Sequence, residues 1–144
     1  MAAALRQFVR AQGKQLGMVS IDIPLISNLT VLQNIALIKE YHSRISRKQV
    51  ENHVLAYLEK MNLPHIADKR NPALTHEERF CALVLRAVMV EENIVVIDRP
   101  FSIMPNFKDS RYITNTLRTV NDLLHKCHIF DYIWHQDRYG EGWA

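Results

Sequence analysis

The chain has 144 residues, 48% hydrophobic and 23% charged, with a formal net charge of +3. That is one domain of ordinary globular composition, large enough to bury a core and neither disordered nor fibrous. No apolar run approaches the ~18 residues of a membrane span, and the Lys and Arg residues are scattered without interleaved aromatics, so no nucleic-acid footprint is present. Met1–Arg10 lacks the long apolar core of a signal peptide, which points to the cytoplasm, and Cys81 and Cys127 read as buried thiols rather than a disulfide.

Residues 3–15 predict a helix of weak register, with Leu5, Phe8, Val9 and Gln12 as a partial apolar face. Leu16–Ile21 reads as a short strand opened by Gly17 and ended by Asp22-Ile23-Pro24, because proline cannot donate to a ladder. Three helix starts then share one signature, a hydroxyl followed three residues later by Gln or Glu: Thr30 with Gln33, Ser46 with Gln49, and Thr75 with Glu78. This is the capping box, in which two positions satisfy each other's orphan backbone donors. The second helix, Ser46–Met61, puts Val50, Val54, Tyr57, Leu58 and Met61 on one face and so packs on a core. Leu63-Pro64 and Asn71-Pro72 bracket a loop, and the third helix runs from Thr75 to Val90.

Ile94-Val95-Val96-Ile97, preceded by polar residues and closed by Asp98, predicts a strand buried on both faces and hence a parallel sheet. In open parallel sheets the ligand crevice lies at the carboxyl ends of the strands, which makes Asp98 the first candidate for metal or phosphate chemistry. A simple turn cap is the equal alternative. Pro100–Asn106 reads as a turn, Lys108–Lys126 resumes the helical period through Ile113, Leu117, Val120 and Leu124, and His128–Trp134 is a third strand. Residues 136–144 are a tail expected to fray. This alternation argues for an α/β layer fold with right-handed crossovers. His125-Lys126-Cys127-His128 straddles a helix end and a strand start with no partner pair, so no metal site is expected there.

Together these segments resemble the ATP-binding cassette (ABC) ATPases, the nucleotide-hydrolysing subunits of membrane transporters. Gly17-Met18-Val19 with Pro24 to Ile35 looks like the family's strand, Q-loop and following helix. Leu74-Thr75-His76-Glu77-Glu78-Arg79 sits where the family has its Leu-Ser-Gly-Gly-Gln signature, and Ile94–Pro100 where it has Walker B. Ser102–Pro105 falls on the D-loop and His135 on the switch histidine. The resemblance spans residues 5–137 and implies a partial P-loop NTPase-like three-layer α/β fold: one domain over 1–144, with a short parallel sheet and a helical subdomain at 36–90.

The departures from the family pattern imply lost chemistry. The chain contains no Gly-x-x-x-x-Gly-Lys-Ser/Thr, and family topology puts that Walker A strand ahead of residue 1, which makes the chain a middle piece of the usual domain. The Q-loop glutamine position is Ile21, which cannot ligate a metal. Asp98 keeps the metal-binding type, but the catalytic glutamate position beside it is Arg99, which stays protonated and cannot act as a base. A guanidinium there can neutralise Asp98 where Mg²⁺ sits in the family, although a solvated Arg99 is the expected arrangement. The signature glycines are His76 and Glu77, while Thr75 and Glu78 are accounted for by the capping box. Ile21, Thr75, Glu78, Asp98, Arg99 and His135 thus read as vestigial motif positions, with no catalytic residue, no metal, and ATP and Mg²⁺ at most weakly bound.

The stretch closest to the family pattern is Asn28 to Ile35, near the surface where the family meets its membrane partner. Asn28, Leu29, Val31, Leu32 and Asn34 are accordingly expected to bind a membrane permease or an active ABC ATPase subunit, with the protein peripheral at the cytoplasmic membrane. The alternatives are a nucleotide-binding half-site completed by a separate chain, or a truncated gene product without function. The family's Walker A strand would lie beside residues 128–134, leaving an edge blunted only by Asp131. A partner chain, a second copy forming a homodimer, or the folded-back Met1–Gln15 is expected to cover it.

Overall fold

The computed structural model describes Leu5, Gln7 and residues 15–42 and 45–140. The helix expected over residues 3–15, and with it the arm from Met1 to Gln15, lies almost wholly outside the described residues. Strands β1 (Leu16–Ser20), β2 (Ile94–Asp98) and β3 (Lys126–Phe130) form one parallel sheet in the order β1-β2-β3. Every residue of β2 is buried, as its unbroken apolar run requires of a central strand covered on both faces. The register pairs Asp98 with Ser20 on one side and Phe130 on the other, so the three strands end level with one another.

Five α-helices are described: α1 (Val31–His42), α2 (Arg47–Lys60), α3 (His76–Val88), the one-turn α4 (Pro100–Ile103) and α5 (Arg111–Thr119). Each expected capping box is formed. At α1 the Thr30 N–H donates to Gln33 Oε1 at 2.9 Å and the Gln33 N–H to Thr30 Oγ1 at 3.1 Å. Ser46 with Gln49 and Thr75 with Glu78 repeat the pattern at α2 and α3. Losing such a cap typically costs ~1 kcal/mol, so the chain specifies all three starts locally. Helix α3 packs on β1, and α1 packs on both α2 and α3. A Cβ at Gly17 would stand 2.4 Å from the Ala87 carbonyl oxygen, so only glycine permits this approach of β1 to α3. One core runs from Val19 and Leu25 through the three helices to Ile97, Phe101, Ile113 and Val120.

Four boundaries differ from expectation. Strand β1 ends at Ser20, leaving Ile21 in the turn. Pro100–Asn106 begins with α4 rather than being a turn throughout, since proline is well placed in a first helical turn. The long helix expected over Lys108–Lys126 stops at Thr119 because Asn93, 2% exposed, captures the chain beyond it. Asn93 Nδ2 donates to the Leu123 carbonyl at 2.8 Å, and its Oδ1 accepts from the His125 N–H at 3.0 Å. The third strand is shifted to Lys126–Phe130, and Ile133–Tyr139 forms a 3₁₀ helix, so Tyr132 and Trp134 are not strand residues. The 3₁₀ segment is docked rather than frayed: the Ser110 N–H donates to the Arg138 carbonyl at 2.8 Å, and the Tyr139 ring meets Phe101 edge-on at 5.3 Å. Residues 141–144 lie outside the described residues.

Asn93 also donates to the carbonyls of Val88 and Val90, so one buried amide joins the end of α3, the start of β2 and the entry to β3. Asn93→Ala strands these partners in the interior and is expected to destabilise the fold by roughly 2–4 kcal/mol. A lowered urea midpoint at unchanged slope is the measurement that checks it.

Candidate functional site

The level ends of β1 and β2 bring a hydroxyl and a carboxylate into contact. Asp98 is 2% exposed, and its Oδ2 accepts the Ser20 hydroxyl at 2.8 Å. Arg99, the next residue, has a left-handed backbone (φ 47°, ψ 62°) and turns its guanidinium back onto the same carboxylate. Arg99 Nε donates to Asp98 Oδ1 at 2.9 Å and Nη2 to Oδ2 at 3.0 Å, a bidentate pair. Nη2 also donates to Asp22 in the turn after β1, and Nη1 reaches the Tyr132 hydroxyl at 3.5 Å. The Arg99 side chain is only 21% exposed, which corrects the expectation that it is solvated. The left-handed backbone costs a non-glycine residue ~1–2 kcal/mol. Each charge-assisted hydrogen bond is worth roughly 1.5–3 kcal/mol, enough to hold it there. Bonding to Asp98 first, and then to Tyr132, holds the guanidinium above even its ordinary pKa. Arg99 is a permanent cation.

The other motif positions are dispersed around this centre. Ile21, 50% exposed, lines a cleft of about 280 Å³ together with Ser20, His76, Arg79, Ser102 and Pro105, which gathers the positions resembling the Q-loop, signature and D-loop. Thr75 and Glu78 bond one another, and Glu78 Oε2 lies 3.1 Å from His65 Nε2. The Thr75 backbone N–H, opposed by burial, holds the Glu78 carboxyl below its usual range. His135 Nδ1 is 2.8 Å from Asp131 Oδ1, and its ring meets those of Phe101 and Tyr132 edge-on. Among the described residues, Tyr132 links it to the Asp98 cluster, through its ring to His135 and its hydroxyl to Arg99.

Of the residues assigned to a partner surface, Val31 and Asn34 are buried, at 1% and 3% exposure, so their side chains are not offered to a partner. Asn34 instead shapes the preceding loop: its Oδ1 accepts from the Ile26 N–H at 2.8 Å, and its Nδ2 donates to the carbonyls of Ile26, Leu29 and Thr30. Asn28 is exposed, and Leu29 and Leu32 are half-buried. Arg86 clamps the same loop, donating to the carbonyls of Ile23 at 2.6 Å and Pro24 at 3.0 Å. Ile21, Ile23 and Ile26 in the same loop remain 45–50% exposed. Sequence reasoning missed Ser20, Asp22, Arg86 and Tyr132. Only Ser20 carried a signal, since it closes β1 as Asp98 closes β2.

The fold is that of the ABC cassettes. The chain superposes on the dimeric structure of MJ0796, a bacterial ABC transporter cassette, with a TM-score of 0.62 and 16% identity, covering 90% of this chain and 58% of that one. Its sequence relatives are ATP-binding proteins of ABC transporters. The sulfate/thiosulfate import ATP-binding protein CysA of Ralstonia nicotianae is 29% identical over 120 residues, 81% of this chain and 32% of the relative. CysA of Acinetobacter baylyi is 26% identical over 85% of this chain and 35% of its own length. The glutamate/glutamine/aspartate/asparagine transport protein BztD of Rhodobacter capsulatus is 26% identical over 76% of this chain and 40% of its own length. The chain thus spans about a third of the length of the CysA relatives it matches. No protein-family model matches it.

The fold family implies ATP with Mg²⁺, and the residues at the Asp98 site do not fit that ion. Both Asp98 oxygens are taken by the guanidinium, and Oδ2 also accepts from Ser20. Arg99 in addition places a full positive charge against that carboxylate, which disfavours a second cation there.

Glu78 generates a pH prediction. Its folded-state pKa lies below its unfolded value, so its contribution is fully present above about pH 4.5 and is lost as pH falls through the folded pKa. Glu78→Gln keeps an acceptor for the Thr75 N–H but loses the charge. It is expected to lower stability at neutral pH by up to about 1 kcal/mol and to converge with the wild type in acid, as read from urea midpoints across pH.

Proposed function

We propose that this protein is a non-hydrolysing ABC-ATPase-like chain that serves as an interaction or regulatory subunit of a membrane transporter, docked from the cytoplasmic side on a permease or an active ATPase subunit. The observation that carries this reading is Arg99. It occupies the position beside Asp98 where the family resemblance puts the catalytic base, and it holds both oxygens of the carboxylate that would face a metal. A guanidinium cannot take a proton from attacking water. The loop after β1 supports the docking half of the reading. It is pinned from within by Asn34, Arg86 and Arg99, and it leaves Ile23 and Ile26 45–46% exposed.

Two measurements test the proposal. ATP turnover by the purified protein is expected to stay at the level of a contaminant control, and turnover abolished by Asp98→Asn would overturn the non-hydrolysing reading. Copurification from native membranes followed by mass spectrometry is expected to bring down a transporter permease or ATPase subunit. Ile23→Asp with Ile26→Asp, both at exposed positions, is expected to abolish that recovery without lowering the melting temperature.

A further inference from the structure

The oxygens gathered at the Asp98–Arg99 pair come from four different segments, with the Ser20 hydroxyl bonded to Asp98 and the others to the guanidinium. Ser20 Oγ lies on β1, the Asp22 carboxylate in the turn after it, the Asp98 carboxylate on β2, and the Tyr132 hydroxyl in the segment after β3. Carboxylate and hydroxyl oxygens are hard donors, the set that Mg²⁺ and Mn²⁺ select. Here the positive charge they surround is a side chain, and its N–H groups engage the same Asp98 oxygens a metal would need. Asp98 is buried and exposed Asp22 shares the guanidinium with it, so removing that charge leaves the Asp98 carboxylate buried without its counter-charge. Such an arrangement demands another cation or a proton.

We propose that the Arg99 guanidinium is the resident cation of the Asp98 site. It excludes divalent metal ions from the native protein while joining β2 to the turn after β1 and the segment after β3, and its loss converts the same oxygens into a Mg²⁺/Mn²⁺ site. The proposal rests on the ion-pair geometry and is independent of any partner.

Arg99→Gly is the informative variant, because glycine suits the left-handed backbone at φ 47° and the substitution removes the guanidinium without adding strain. In the wild type, Mn²⁺ is expected to leave the amide signals of residues 20–22 and 98 unbroadened and the melting temperature unchanged. In Arg99→Gly those signals broaden, and millimolar Mn²⁺ raises the melting temperature by roughly 3 °C or more. Adding Asp98→Asn abolishes both responses, and Arg99→Lys, which keeps a cation, shows neither. Mn²⁺ broadening centred on Asp98 in the wild type would overturn the proposal, as would an Arg99→Gly protein that folds and ignores Mn²⁺. Should Arg99→Gly fold only with metal, recovery of its near-UV circular dichroism by Mn²⁺ supports the proposal, and failure to recover counts against it.

Discussion

The bidentate pair between Arg99 and Asp98 is the interaction on which the described structure turns. A strand buried on both faces that ends in a carboxylate must satisfy that carboxylate or bear a large desolvation cost. Parallel register supplies the Ser20 hydroxyl, and the left-handed turn at Arg99 supplies the opposite charge. Because the guanidinium has donors to spare, the same contact reaches Asp22 and Tyr132. One side chain thus gathers the chain where all three strands end.

That gathering gives the loop after β1 its shape. Arg99 holds it at Asp22, Arg86 at the Ile23 and Pro24 carbonyls, and Asn34 at Ile26 and Leu29. Burial lowers the pKa of Arg86 from the ordinary guanidinium value, yet it leaves a donor fork matched to two adjacent carbonyls. The exposed isoleucines are therefore presented by a loop whose backbone is bonded at several points. The ABC cassette fold provides the frame, and within it Asp98 is held by internal ion pairing.

Much of the fold was legible because its signals are local. The capping boxes at Thr30, Ser46 and Thr75 need only residues three apart, and the buried run Ile94–Ile97 announces a central parallel strand by composition alone. The boundaries that moved were those set by distant partners. Asn93 ends the α5 region by bonding Leu123 and His125, and nothing in the helical period of Lys108–Lys126 records that contact.

At the site, the sequence by itself determined the chemical types: an acid closing β2 and a permanent cation beside it. Only the tertiary structure decided what those groups do to one another. Whether Arg99 faces water or Asp98 depends on its left-handed backbone and on Asp22 and Tyr132, which lie 77 and 33 residues away along the chain. Likewise, Val31 looks like half-buried Leu29 and Leu32 in sequence and Asn34 like exposed Asn28, and the burial of Val31 and Asn34 follows from how α1 packs against α2 and α3. Residue type is written locally, whereas the partner that satisfies a charge or a hydrogen bond is set by long-range packing.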